Sequence, residues 1–324
     1  MSRVLNTPAL VSPDTAERVR KAVAQLGYSP NPFAKGLMTR SSKMFALLLP
    51  KGSADLHVEL VRAAEAAAER HGFCLLLARD AKGPRPSPAL HGPLHMADGL
   101  AQIVQAADEV LWRDASATGL PVVLIDPPSN LEGSTAVDRI MIDDTWGTRE
   151  AVDHLLSAIS ADRMHFVGGP QELPSMQRRA EAFAKRMSEK GHIIRKDQIA
   201  FGKSAGEWGY LWAAGYLSNA DLAGRGVLCG SDEIALGVLQ AAREAHIRVP
   251  DQLRIIGFGD TRVAPLVQPS LSTVRVPMAE AADAAIDLLL ARTKQSELPP
   301  QTHTITTRLF IRESSDRSAA SGGF

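Results

Sequence analysis

Cysteine is nearly absent from this chain of 324 residues. Cys74 and Cys229 cannot build a disulfide framework, and each sits in an apolar run, so both read as reduced core residues of a cytoplasmic protein. No apolar run reaches the ~18 residues of a membrane span, and no signal-peptide pattern opens the chain, so no membrane partner is expected. Net charge is missing too: 36 Lys and Arg balance 36 Asp and Glu. The balance is uneven along the chain. Residues 1–43 hold seven cations (Arg3, Arg18, Arg20, Lys21, Lys35, Arg40, Lys43) against Asp14 and Glu17, which leaves an acidic body behind a basic end. That asymmetry points to a polyanion contact at one end, with a solvated helix face as the plain alternative.

What is present is enough apolar content, 45%, to bury a real interior. Ser12-Pro13 starts a helix whose apolar stripe is Ala16, Val19, Val23 and Leu26, stopping at Gly27. From Phe45 the texture changes to short apolar runs alternating with helical stretches. FALLLP, FCLLLA, EVLW, PVVLID, RIMID, MHFVGG, QIAFG, GVLCG and RIIGFGD read as strands, and THTITTRLFI as a last one. Helices are expected near 56–71, 97–107, 145–158, 175–190, 206–218, 231–246 and 278–293. Alternation of this kind gives parallel sheets with helices on both faces. About ten strands exceed one compact lobe, so two doubly wound α/β lobes with a ligand cleft at the strand ends are expected.

SRVLN and VSPDTAERVRKAVAQLGYSPNPFAKGL, followed by GTREAVDHL, FVGGP, QRRAEAF, GSDEIALGVLQAAREAHIRVPDQLRIIGFGD and PSLSTVRVP, resemble the lac and galactose repressor family in order and spacing. The resemblance covers nearly the whole chain. It implies a partial helix-turn-helix headpiece at 1–30 and a hinge segment at 31–43. It implies a first periplasmic-binding-protein-like lobe at 44–142 and 274–303, and a second at 143–273 and 304–313. Residues 314–324 are expected to be a disordered tail.

In that family the second headpiece helix enters the major groove. SRVLN corresponds to the end of that helix, so most base-reading residues fall upstream of Met1. Three explanations compete: a misassigned start codon, a truly truncated gene, or a deliberate cut. As written, the chain is expected to read an operator poorly. The resemblance implies DNA contacts at Ser2, Arg3, Asn6, Tyr28, Asn31, Ala34 and Leu37, with Leu37 as a minor-groove wedge in a hinge helix weakened by Gly36. A flexible linker is the alternative for the hinge.

For the cleft, the resemblance implies effector contacts at Asp55, Arg113, Trp146, Arg179, Ser231, Asp232 and Gly259. Arg179 offers paired donors to hydroxyls or a carboxylate, or is a surface charge beside Arg178. Ser231 and Asp232 cap a helix, contact effector, bridge the lobes, or several of these. Trp146 stacks on a sugar or sits in the core. Gly259 stands where relatives usually carry an acid, a GFGD form shared with gluconate-operon repressors of this family. With Arg113 and Arg179 present, an anionic effector such as a sugar acid becomes an expectation alongside neutral sugars.

Enzyme signatures are scarce. GxGxxG, GxxxxGK[ST] and HExxH do not occur. GKSAG at 202–206 has the GxSxG form, with His246 and His303 downstream, but it also suits an ordinary strand-to-helix loop. His91 and His95 lack further nearby ligands, and Asp143-Asp144 suit a helix cap better than a catalytic pair. No catalytic residue, metal or cofactor is expected. The expected protein is a sequence-specific, DNA-binding transcriptional regulator, a homodimer controlled by a small sugar or sugar acid. A cytoplasmic sugar-binding sensor without DNA function is the alternative.

Overall fold

A computed structural model describes residues 4, 11–26, 41–50, 56–79, 96–104, 111–131, 133–203, 205–217 and 224–321. Helix α1 (Pro13–Gln25) stands before the body. Ala16 of its stripe is buried, as is Val4, whereas Leu26 is exposed.

The first sheet collects β1 (Met44–Leu49), β2 (Cys74–Arg79), β3 (Leu100–Ile103), β4 (Val122–Ile125), β5 (Asp138–Asp143) and β11 (Thr302–Thr306). Their order is β11-β5-β4-β3-β1-β2, and every pair is parallel. α2 (Leu56–Arg70), α3 (Leu111–Ala117) and α8 (Met278–Lys294) flank this sheet. The second sheet holds β6 (Met164–Gly168), β7 (Ile199–Phe201), β8 (Arg225–Cys229), β9 (Leu253–Gly259), β10 (Ser272–Arg275) and β12 (Arg308–Phe310). Its order is β12-β10-β9-β8-β6-β7, parallel except for β12 against β10. α4 (Asp144–Leu156), α5 (Pro174–Glu189), α6 (Ala205–Leu217) and α7 (Asp232–Glu244) pack on it. Two doubly wound lobes therefore result, the first a parallel sheet and the second a sheet parallel but for its edge strand β12, each flanked by helices.

The helix starts follow from the sequence. Asp143 accepts a hydrogen bond from the Thr145 N–H at 2.9 Å, and Ser231 accepts one from the Ile234 N–H at 3.3 Å. Pro174 opens α5, where its missing N–H costs nothing. Strands β1, β3, β4, β6 and β8 are buried almost throughout, as continuous apolar runs covered on both faces require.

Several expectations fail. The helix expected at 97–107 contains strand β3, and the strand expected at EVLW gives way to α3 from Leu111. Periodicity cannot tell a four-residue buried run from one helical turn. Here Leu100, Ala101, Gln102 and Ile103 are all buried between β1 and β4. In α3, Leu111 and Trp112 are buried and Ala115 packs against the same core, while Asp114 and Ala117 are exposed. THTITTRLFI is two strands on two different sheets, with the chain crossing lobes at Thr307. PSLSTVRVP contributes the unforeseen strand β10 to the second sheet, so that crossing falls after Arg275. Cys229 is buried but Cys74 is exposed on the edge strand β2. The tail is not disordered through residue 321. Ser314 and Ser315 are fully buried, the Ser314 hydroxyl donates to the Ile255 carbonyl at 2.6 Å, and a short 3-10 turn spans Arg317–Ser321.

No helix among the described residues is long and apolar enough to cross a membrane.

Candidate functional site

The C-terminal ends of both sheets face a cavity of about 510 Å³ between the lobes. The first lobe supplies Leu56 and His57 from the start of α2, with Ile103, Val104, Ile125 and Asp126 from the ends of β3 and β4. The second lobe supplies Met176 and Arg179 from α5, Ser231 and Asp232 from the start of α7, and Phe258 and Thr261 around the end of β9. Strand ends leave backbone and side chains unshared with the sheet, which is why the cleft forms here.

Arg179 lies on the cavity wall and is 6% exposed. Its Nε donates to Asp144 Oδ1 at 3.1 Å and its Nη1 to the Gly230 carbonyl at 2.7 Å. The guanidinium lies 3.8 Å from the Phe258 ring centroid, a cation–π arrangement. No hydrogen bond from Nη2 occurs among the described residues. Arg178, on the same helix, is part-buried as well, so the alternative of two surface charges does not apply. Its Nη2 donates to both oxygens of Asp126 at 2.7 Å, and its Nε donates to Asp144 Oδ2 at 3.1 Å. Asp126 ends β4 in the first lobe with a φ of 51°, a left-handed conformation that aspartate tolerates better than most residues. Burial pushes its carboxyl up to about 6, reinforced by the neighbouring Asp144 carboxylate and opposed by Arg178 and Arg179.

Asp232 is buried and also raised by burial, against three hydrogen bonds that favour its charged form. It accepts from the Thr273 hydroxyl at 2.5 Å, the Thr261 N–H at 2.7 Å and the Thr261 hydroxyl at 2.9 Å. Those partners all belong to the second lobe, so the lobes are bridged by Asp126 and Arg178 rather than by Ser231-Asp232. His57 is 7% exposed, and burial lowers its imidazole to about 4, so it is neutral at physiological pH. Its Nδ1 is buried and finds no hydrogen-bond partner.

The sequence-predicted residues thus divide. Arg179, Ser231 and Asp232 come together on the cavity wall. Trp146 does not: it is 54% exposed on α4, and its indole N–H donates to Glu150 Oε1 at 3.0 Å, so it is neither stacked in the cleft nor part of the core. Arg113 lies on α3 beside the Trp112 ring, away from the described cavity wall. Gly259 shapes the end of β9 through a φ of 136°, and the following Asp260 is bound by Arg275 at 2.6 Å and Arg312 at 2.7 Å. Asp55 lies outside the described residues, as do Ser2, Arg3, Asn6, Tyr28, Asn31, Ala34 and Leu37, and also Ser204, His91 and His95. His57, Asp126, Asp144 and Arg178 were missed as cleft residues. Only Asp144 had a signal, the Asp143-Asp144 pair, of which Asp143 is the cap and Asp144 the arginine partner. No cluster able to hold a metal occurs among the described residues.

The cavity offers hydrogen-bonding groups and apolar walls, with the charged side chains of Lys203 and Glu233 beside Arg179 and Asp232 on its lining. Residues 152–315, half the chain, match the periplasmic binding protein-like domain, and residues 1–31 match the bacterial regulatory proteins of the lacI family. The chain belongs to the lacI family. Among its lacI-family relatives, catabolite control protein A of Priestia megaterium is 26% identical over 97% of this chain and 94% of its own length. The ribose operon repressor of Halalkalibacterium halodurans is 25% identical over 97% and 92%. The fold matches the Lac repressor dimer bound to operator and the anti-inducer ONPF, with a TM-score of 0.83 at 22% identity over 97% of this chain and 94% of that one. It also matches the transcriptional regulator CelR in complex with cellobiose, with a TM-score of 0.74 at 24% identity and the same coverage.

Proposed function

We propose that this chain is a transcriptional regulator in which a small sugar-like effector, held between the lobes, controls operator binding by a homodimer. The observation that carries the reading is the hydrogen-bonding cavity between two lobes in a lacI-family chain. Relatives across its whole length are named as repressors and regulators, and structural neighbours hold ONPF, ribose or cellobiose. Those names also support a non-enzymatic role. The coupling is linkage: an effector that prefers one arrangement of the lobes shifts the arrangement of the paired N-terminal segments on DNA.

Charge leaves both ends of the sugar-to-sugar-acid range open. Arg179 is matched by Asp144 and Arg178 by Asp126, but the cation Lys203 also lines the cavity. Calorimetry with gluconate against glucose separates the two: tighter binding of the acid selects a sugar acid, and tighter binding of glucose a neutral sugar. For the regulator reading, the test is selection from random duplexes followed by gel shift at two salt concentrations, with the protein as its own cell makes it. Selective binding that weakens steeply with salt is expected. No selected sequence at low salt, with sugar binding intact, would turn the reading to a sensor without DNA function.

A further inference from the structure

The two lobes contribute unequally to the cavity wall. The second brings polar side chains at several points, among them Ser175 and Arg179 on α5, Lys203 after β7 and Ser231 at the cap of α7. The first brings the apolar Leu56, Ile103, Val104, Ile125 and Met278, and only two polar side chains, His57 and Asp126. Asp126 is committed to Arg178, whose Nη2 reaches both its oxygens at 2.7 Å. His57 is therefore the first lobe's one uncommitted polar side chain on the lining, among the described residues. It sits in the first turn of α2 and is 7% exposed. Its Nδ1 is sealed without a partner, and no hydrogen bond to its other nitrogen occurs among the described residues. Six buried side-chain atoms of the described residues lack a partner, and of the residues that carry them His57 alone lines the cavity.

An apolar residue of similar size would pack at this point without leaving a polar atom unpaired, so the imidazole is held here at a cost to the fold. Burial lowers it to about 4, so the ring is neutral, with one nitrogen donating and the other accepting. Orphaned N–H groups are rarer in proteins than orphaned acceptors, which favours the tautomer with a bare Nδ1 and a hydrogen on Nε2. That N–H needs an oxygen to receive it, and a hydroxyl serves without bringing a charge into an otherwise apolar wall. We infer that His57 is the specificity-determining residue of the first-lobe wall, hydrogen-bonding one hydroxyl of a sugar-like ligand that the rest of that wall does not select. The inference rests on the effector reading above and adds to it which lobe reads the hydroxyl and through which side chain.

A cycle that changes protein and ligand together tests it. A panel of pentoses, hexoses, disaccharides and sugar acids is screened against the full chain by thermal shift. The tightest binder and each of its monodeoxy analogues are then measured by calorimetry. A site built to hydrogen-bond a hydroxyl rejects the analogue that lacks it. The wild type is expected to bind one deoxy analogue about tenfold more weakly than the parent sugar. His57→Leu is expected to bind the parent about tenfold more weakly than the wild type does, and to hold parent and that analogue within about twofold of each other. His57→Gln, whose amide nitrogen reaches about as far as Nε2, is expected to recover part of the preference. A ring that only packs would not produce that pattern. If His57→Leu does not unfold cooperatively in urea, His57→Phe, nearer the ring in shape, takes its place. The inference is overturned if the apolar variant keeps the wild-type ratio of parent to deoxy affinity for every analogue. A panel with no binder at all would sink the effector reading and the inference with it. Sugar binding with no His57-dependent hydroxyl preference would sink the inference alone.

Discussion

Arg179 and Phe183 lie one turn apart on α5, and both are buried, yet they answer to different physics. Phe183 is fully enclosed, with its ring centroid 5.9 Å from that of Phe166 beneath the sheet. Its truncation to Ala leaves a cavity the core cannot fill and is expected to cost about 3–5 kcal/mol, read as a lower urea midpoint with an unchanged slope. Arg179 is buried because Asp144, Gly230 and Phe258 receive its charge and donors. Arg179→Met strips that compensation and, with effector bound, is expected to weaken affinity about tenfold or more, measured by calorimetry. Arginine at 179 was legible from the sequence because its neighbours fix the register. The carboxylates that set its charge were not: Asp126 and Asp144 stand dozens of residues away, and only the fold puts them beside α5.

Elements were legible where the apolar run was long and failed where it was short. α5 and α7 fall within two residues of their expected bounds, because caps and periodic stripes mark both ends. β3 and α3 were exchanged, since four or five apolar residues fit either form until the neighbouring strands are known. Splitting of the last strand hinges on Thr307. Its hydroxyl donates to the Asp143 carbonyl at 2.7 Å and accepts from the Gly147 N–H at 3.1 Å, pinning the point where the chain changes sheets. Thr307→Val keeps the shape but takes the acceptor from the buried Gly147 N–H, while the Asp143 carbonyl keeps the Thr307 N–H at 3.3 Å, so a loss of about 1–2 kcal/mol is expected in urea unfolding. Gly147 is required at the same crossing. A Cβ there would lie 2.7 Å from Thr307 Oγ1 and still closer to Val274, so Gly147→Ala is expected to destabilise by about 1–3 kcal/mol by the same measurement.

At the scale of the molecule, the meeting of the lobes ties stability to protonation. Burial pushes the Asp126 carboxyl up to about 6, above its ordinary range, so the folded chain binds that proton more tightly than an unfolded one. The group's contribution to stability is therefore fully present below the ordinary carboxylate range and is lost as pH rises through about 6. Around it lie Arg178 and Arg179 on α5 and Asp144 on α4, while His57 on α2, at about 4, stays neutral across this window. Between pH 7 and 5 the wild type should gain on the order of 1 kcal/mol relative to Asp126→Asn in urea unfolding. Parallel pH profiles for the two would refute it. The sequence by itself determined two parallel α/β lobes, the family resemblance and three of the cavity residues, because alternation, caps and motif spacing are local and survive without a fold. Tertiary structure alone decided which charges meet: Asp126, Asp144 and Arg178 form a bridge, and Trp146 and Arg113 are not among the residues lining the cavity. Such pairings depend on how strand ends from separate stretches of chain converge, and no local pattern records that.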